Sequence, residues 1–183
     1  MAKSQLQKIE QIFSKLAKQK DIGSISIELK ASSLPDLSLL EDFPSQFDRA
    51  AKEIHSRALV FLSEELELAL GIAMESNVWG WEYGDGDIYD TGALRDSGRV
   101  VVSGNSLQIF YGEEYAAIVH YGGYISPYGN PNVTIYMPGR PWIQAVILGG
   151  GPVPQFDMEG TYARYAIPLI KERMESFGYT VGG

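Results

Sequence analysis

The feature that most constrains this chain is a long apolar stripe in its first half. Phe47, Ala51, Ile54, Ala58, Phe61 with Leu62, Leu66, Ala69 and Ala73 recur every three to four positions. That spacing turns one face of an α-helix toward a core. It predicts a single helix from about 46 to 75, about 45 Å long at 1.5 Å per residue. Ser45 stands where a cap is wanted, and Asp48 three residues on puts a carboxylate near the positive end of the helix dipole. So long an element is expected to cross its whole domain and to reach toward a neighbour.

The other elements are shorter. Leu6, Ile9, Ile12 or Phe13, and Leu16 predict a first helix over 3–20, stopped by Asp21-Ile22-Gly23. Ser24 to Lys30 alternates as a strand with one wet face does, and residues 31–44 read as a connector. Arg99 to Val102 and Leu107 to Tyr111 predict a hairpin turning through Ser103-Gly104-Asn105-Ser106. A short helix is expected from Glu113 or Glu114 through His120, ended by Gly122-Gly123, with a loop over 124–132. Val133 to Met137 reads as a strand, and Pro141 as the first residue of a helix through Leu148. Gly149 to Gly151 looks like a hinge, and Asp157 to Phe177 is helical in character, with Pro168 kinking or restarting it. The sum is an α+β fold, long helices packed on one face of a small antiparallel sheet.

Charge and composition exclude several classes of function. With 15 Lys and Arg against 23 Asp and Glu, the net charge is −8, so the chain lacks the basic face that phosphate neutralisation needs. Hydrophobic residues at 45% are enough for a packed core rather than disorder. The absence of cysteine removes disulfides, thiolate metal sites and thiol nucleophiles together. Met1-Ala2-Lys3-Ser4 leads into Gln, Lys and Glu instead of an apolar leader core, and no run is long enough to span a bilayer. A soluble protein is expected.

Reactive chemistry is sparse. His55 and His120 are the only histidines, and each reads as a surface or packing residue. No metalloprotease, serine-hydrolase or phosphate-loop signature occurs. Asp85-Gly86-Asp87 begins like a calcium loop, but Tyr89 takes the third ligand position and Asp96 stands where glutamate belongs. The reading is therefore no metal, no cofactor and no catalytic residue. Trp79, Trp81 and Tyr83 alternate and would share one face of an extended segment, to meet a partner or to cover the end of the sheet. Gly92 permits a backbone angle closed to other residues, Leu94 anchors inward, and Arg95 is left to pair with a carboxylate or carbonyl. Arg140 is held extended by Pro141, and Trp142 anchors the following helix or a neighbouring subunit.

Three stretches in fixed order carry a family resemblance: Asp90-Thr91-Gly92 with Leu94-Arg95 and Ser97, then Tyr115-Ala116 with Gly122-Gly123, then Pro138, Arg140, Pro141 and Trp142. Behind the long helix, this set resembles the phage head–tail joining family. These are neck and tail-completion proteins, including the Mu-like virion morphogenesis group and the lambdoid minor-tail-component group. The resemblance covers roughly residues 45–148. It departs from the family pattern in the longer Trp79 to Asp87 loop, and neither the N-terminal part nor the tail after Gly149 matches a motif.

The resemblance implies a non-enzymatic subunit of the virion neck. It would form a ring of six copies between portal and tail tube, contacting itself and the adjacent neck or tail-tube proteins. DNA would pass without specific binding, and no membrane would be involved. Residues 1–44 would be an N-terminal helix–strand extension, and 45–183 the joining domain with a helical tail. Trp79, Trp81, Tyr83, Asp90, Arg95, Arg140 and Trp142 are the expected assembly contacts. Residues 64–96 hold nine acidic side chains against Arg95 alone. Of these, Glu82, Asp85 and Asp87 are expected to face the channel or its rim, because basic walls would hold the duplex. A solvated outer face is the bland alternative. A functional alternative is a small binding or accessory module using the Trp79–Asp90 aromatic-acidic loop on a glycan or metal.

Overall fold

The computed structural model describes residues 25–30, 48–75, 79, 92–126 and 130–178. The predicted helix over 3–20, the cap at Ser45 and the boundary at residue 44 lie outside the described residues. The elements, in order, are β1 (Ile25–Lys30), α1 (Asp48–Ile72), α2 (Ala93–Asp96), β2 (Gly98–Ser103), β3 (Ser106–Tyr111), α3 (Ala116–Tyr121), β4 (Gly122–Ile125), β5 (Ile135–Pro138), α4 (Trp142–Leu148) and α5 (Met158–Ser176). The fold is α+β.

Two sheets form. β1, β3 and β2 lie in that order in a three-stranded sheet, and β4 pairs with β5 in a second, two-stranded one. The β2–β3 hairpin turns at Gly104-Asn105. Its faces are sorted as alternation demands. Val100, Leu107, Ile109 and Tyr111 are buried, while Arg99, Val101, Gln108 and Phe110 are exposed.

The chain divides into two compact units whose segments interleave along the sequence. The first holds Glu67–Arg99 and Ile109–Phe156; the second holds Glu28–Leu66, Val100–Gln108 and Asp157–Gly183.

The first unit is built around α4. Trp142, Ile143, Ala145, Val146 and Ile147 are all buried there, as are Leu70, Ala73 and Met74 from the end of α1. Trp79 is buried too, its indole N–H donating to the Ala73 carbonyl at 2.7 Å. The Gly149–Gly151 stretch is a tight return rather than a hinge. Phe156 N–H donates to the Val146 carbonyl at 2.8 Å and the Gln155 amide to the Ile147 carbonyl at 3.0 Å, so the segment folds back along α4.

The second unit packs the first part of α1 with α5. Ala50, Ile54, Ala58, Leu59, Leu62 and Leu66 are buried on α1, and Thr161, Tyr162 and Ala166 on α5. Phe61 stacks on Tyr165 with centroids 4.5 Å apart and planes 9° from parallel, and the Tyr165 hydroxyl donates to Glu65 at 2.9 Å. His55 Nδ1 lies 2.9 Å from the Tyr162 hydroxyl. His55 is thus half-buried, its ring 5.9 Å from that of Tyr162. The Asp157 side chain caps α5 by accepting from Gly160 N–H at 2.9 Å, and the helix runs through Pro168 without restarting.

Within Asp90 to Ser97, residues 93–96 make one helical turn that leads into β2 at Gly98. Two local expectations are corrected. Gly122-Gly123 ends α3 but also opens β4, so Tyr124 and Ile125 are strand rather than loop. The single sheet expected is therefore two, and the reason lies in the glycines described next.

Candidate functional site

The described parts of the three motif stretches, from Gly92 onward, come together in the first unit. Gly92 starts α2 from a left-handed conformation, φ 84°, one that a side chain would strain. The turn buries Leu94 and is closed by Ser97, whose hydroxyl donates to the Leu94 carbonyl at 2.8 Å. Gly112 N–H in turn donates to that hydroxyl oxygen at 3.2 Å, tying the turn to the end of β3. Beside it, a Cβ on Gly98 would come within 2.7 Å of the Tyr111 ring.

Tyr111 carries the contact onward. Its ring meets Trp142 edge to face, centroids 5.2 Å apart and planes at 83°. Trp142 also meets the His120 ring of α3 at 4.6 Å and 89°. The Tyr115 and Met137 stretches are joined by backbone. Arg140 N–H donates to the Val119 carbonyl at 2.8 Å, and β4 pairs with β5 in the register Gly122↔Pro138, Gly123↔Met137, Tyr124↔Tyr136, Ile125↔Ile135. A Cβ on Gly139 would sit 2.6 Å from Gly122 N and 2.5 Å from the Tyr121 carbonyl carbon. Two bare backbones can therefore approach where side chains would hold them apart.

The electrostatics are those of a packed interior. His120 is fully buried, and desolvation pushes its imidazole down to about 3, so it is neutral near pH 7. Neither ring nitrogen has a hydrogen-bond partner among the described residues, and the rings of Tyr121 at 4.5 Å and Trp142 at 4.6 Å pack perpendicular to the imidazole. Burial raises the Tyr111 hydroxyl far above the ordinary tyrosine range, only partly opposed by the Trp142 side chain. Burial likewise pushes Tyr121 up to about 12. Among the described residues, no group of three His, Asp or Glu side chains is placed to hold a metal. Nor is any described helix long and apolar enough to cross a membrane.

The structure sorts the sequence-predicted contacts by exposure. Trp142 is 0% exposed, and Trp79 and Arg140 are each 6% exposed, so within this chain all three are packing residues. Arg95 is half-buried and engaged, its Nε 3.6 Å from where a Cβ on Gly71 would lie. Trp81, Tyr83, Asp90, Glu82, Asp85 and Asp87 lie outside the described residues.

What sequence reasoning missed is the exposed apolar surface. On the second sheet, Tyr124 (72% exposed) and Tyr136 (59%) face each other at 5.4 Å, beside exposed Val133 and Ile135. On α1, Val60, Leu68 and Ile72 are exposed. The α1 set, spaced eight and then four residues apart with Glu64 between, was readable as a second stripe beside the buried one.

A scan of protein-family models, a search of curated proteins and a search of solved structures each found no match to this chain.

Proposed function

We propose that this protein is a structural subunit of the tailed-phage neck, a head–tail connector or tail-completion ring that joins capsid to tail and lets DNA pass. The observation that carries this reading is the convergence of the three motif stretches on Trp142, through Tyr111, His120 and the Gly122–Gly139 approach. The described residues of the family-like pattern lie in one packed unit, as expected if the pattern encodes a shared scaffold. Exposed apolar side chains on α1 and the second sheet supply surface suited to subunit contacts. Head-to-tail contacts close into a ring when the rotation between copies permits, and six copies are proposed. The acidic balance of the chain fits a conduit that DNA traverses without being held.

The test is direct. Light scattering and electron microscopy of the purified chain, alone and with the neck or tail-tube proteins of its own phage, should show a closed ring. A chain that stays monomeric under all these conditions, and is missing from purified particles, overturns the reading.

A further inference from the structure

Helix α1 exposes one face along its length, and that face changes character from end to end. In the first turns its exposed side chains are Arg49, Lys52, Glu53, Ser56 and Arg57; from there on they are Val60, Glu64, Leu68, Ile72 and, just past the helix, Glu75. Val60, Leu68 and Ile72 are 44%, 59% and 49% exposed, too open for core residues. Residues 58–75 contain four glutamates and no lysine or arginine. At the other end, Glu53 is already paired with Arg173 at 3.6 Å, and Lys52 is engaged within the fold. Arg49 and Arg57 have no ion-pair partner among the described residues.

This order of charge opposes the helix's own dipole, which favours acids at the start and bases at the end. No basic residue stands in the last turn. The pattern therefore does not serve the isolated helix, and it is self-complementary between its two ends.

We infer that this face binds a second copy of the chain head to tail. The Arg49–Arg57 part of one α1 lies on the Val60–Glu75 part of the next. The aliphatic stems of the arginines cover Val60, Leu68 and Ile72, while their guanidinium groups reach Glu64 and Glu75. Because the two patches differ, each copy keeps one of each free, and the contact propagates until it closes. This inference rests on the ring reading above and names its interface.

Sedimentation velocity on the full-length chain tests it by charge reversal. Glu64→Arg with Glu75→Arg, or Arg49→Glu with Arg57→Glu, should each weaken self-association by about tenfold or more. All four changes in one chain should restore it. Leu68→Asp should abolish it, with circular dichroism unchanged because the residue is exposed. Wild-type rings that persist in every variant overturn this interface and leave the ring reading standing. Weakening by the acidic-end changes without rescue by the four-site chain points to another basic occupant, such as the lysine-rich residues 3–20, and also overturns it. A wild-type chain that never self-associates removes both readings together.

Discussion

The ring of His120 stands perpendicular to that of Trp142, centroids 4.6 Å apart, with neither side chain exposed. The pair locks α3 to α4, and Tyr111, whose ring lies 5.2 Å from that of Trp142, brings β3 into the same contact. One indole thus touches a strand, a short helix and its own helix. Trp142→Ala should cost about 3–5 kcal/mol, the range for large-to-small changes in a core. Chemical denaturation gives the number. A loss below about 1 kcal/mol would show that Trp142 gains its importance elsewhere, in a neighbouring copy.

The buried imidazole makes stability depend on pH. His120 sits at about 3 in the folded chain against its ordinary 6.5, so between these values the unfolded chain binds the extra proton. Its contribution is complete above pH 6.5 and is lost as pH falls toward 3, by about 1.4 kcal/mol per unit. Carboxylates titrate in part of the same window, so the informative quantity is a difference between two proteins. Stability curves of wild type and His120→Phe should diverge by about 2 kcal/mol between pH 6 and 4.5, with the variant flatter. Parallel curves would mean that water or motion lets the imidazole charge in place.

Among the described glycines of the first unit, Gly139 makes the closest backbone approach. All three atoms that a Cβ would meet, at 2.5, 2.6 and 2.8 Å, are backbone atoms of residues 120–122, so no side chain can swing aside. Gly139→Ala should destabilise by about 3 kcal/mol, at the upper end of overpacking costs. Gly104 is the control. It has φ 58° and nothing within 4 Å of an added Cβ, so Gly104→Ala should cost about 1 kcal/mol from backbone strain alone. Thermal melts that rank the two the other way would contradict the close approach.

The long helix was legible because its stripe repeats over many turns, which averages out individual exceptions. The β2–β3 hairpin was legible because alternation and a Gly-Asn turn agree. The β4–β5 pairing was not, since each strand is four residues long and the pairing depends on Gly139 lying against Gly122. No local pattern encodes such an approach. Residue type also could not decide whether Trp142 and Arg140 fill their own core or a neighbour's, because a buried anchor and an interface anchor have the same chemistry. Their burial is a property of the tertiary fold. For His120 the sequence leaves surface and packing roles both open, and its burial decides for packing.

Tyr124 and Tyr136 are paired across β4 and β5 with centroids 5.4 Å apart and planes at 66°, yet both remain largely exposed. A two-stranded ribbon is marginal in water on its own, and cross-strand aromatic pairs contribute about 0.2–1 kcal/mol relative to alanine. A double-mutant cycle on Tyr124→Ala and Tyr136→Ala should therefore return a coupling of about 0.5–1 kcal/mol in denaturant melts. The same rings also present apolar surface to any neighbour. If the ribbon contacts a second copy or an adjacent neck protein, the double variant should lose far more in assembly than in stability. Equal losses in the two measurements would confine the pair to holding its own ribbon together.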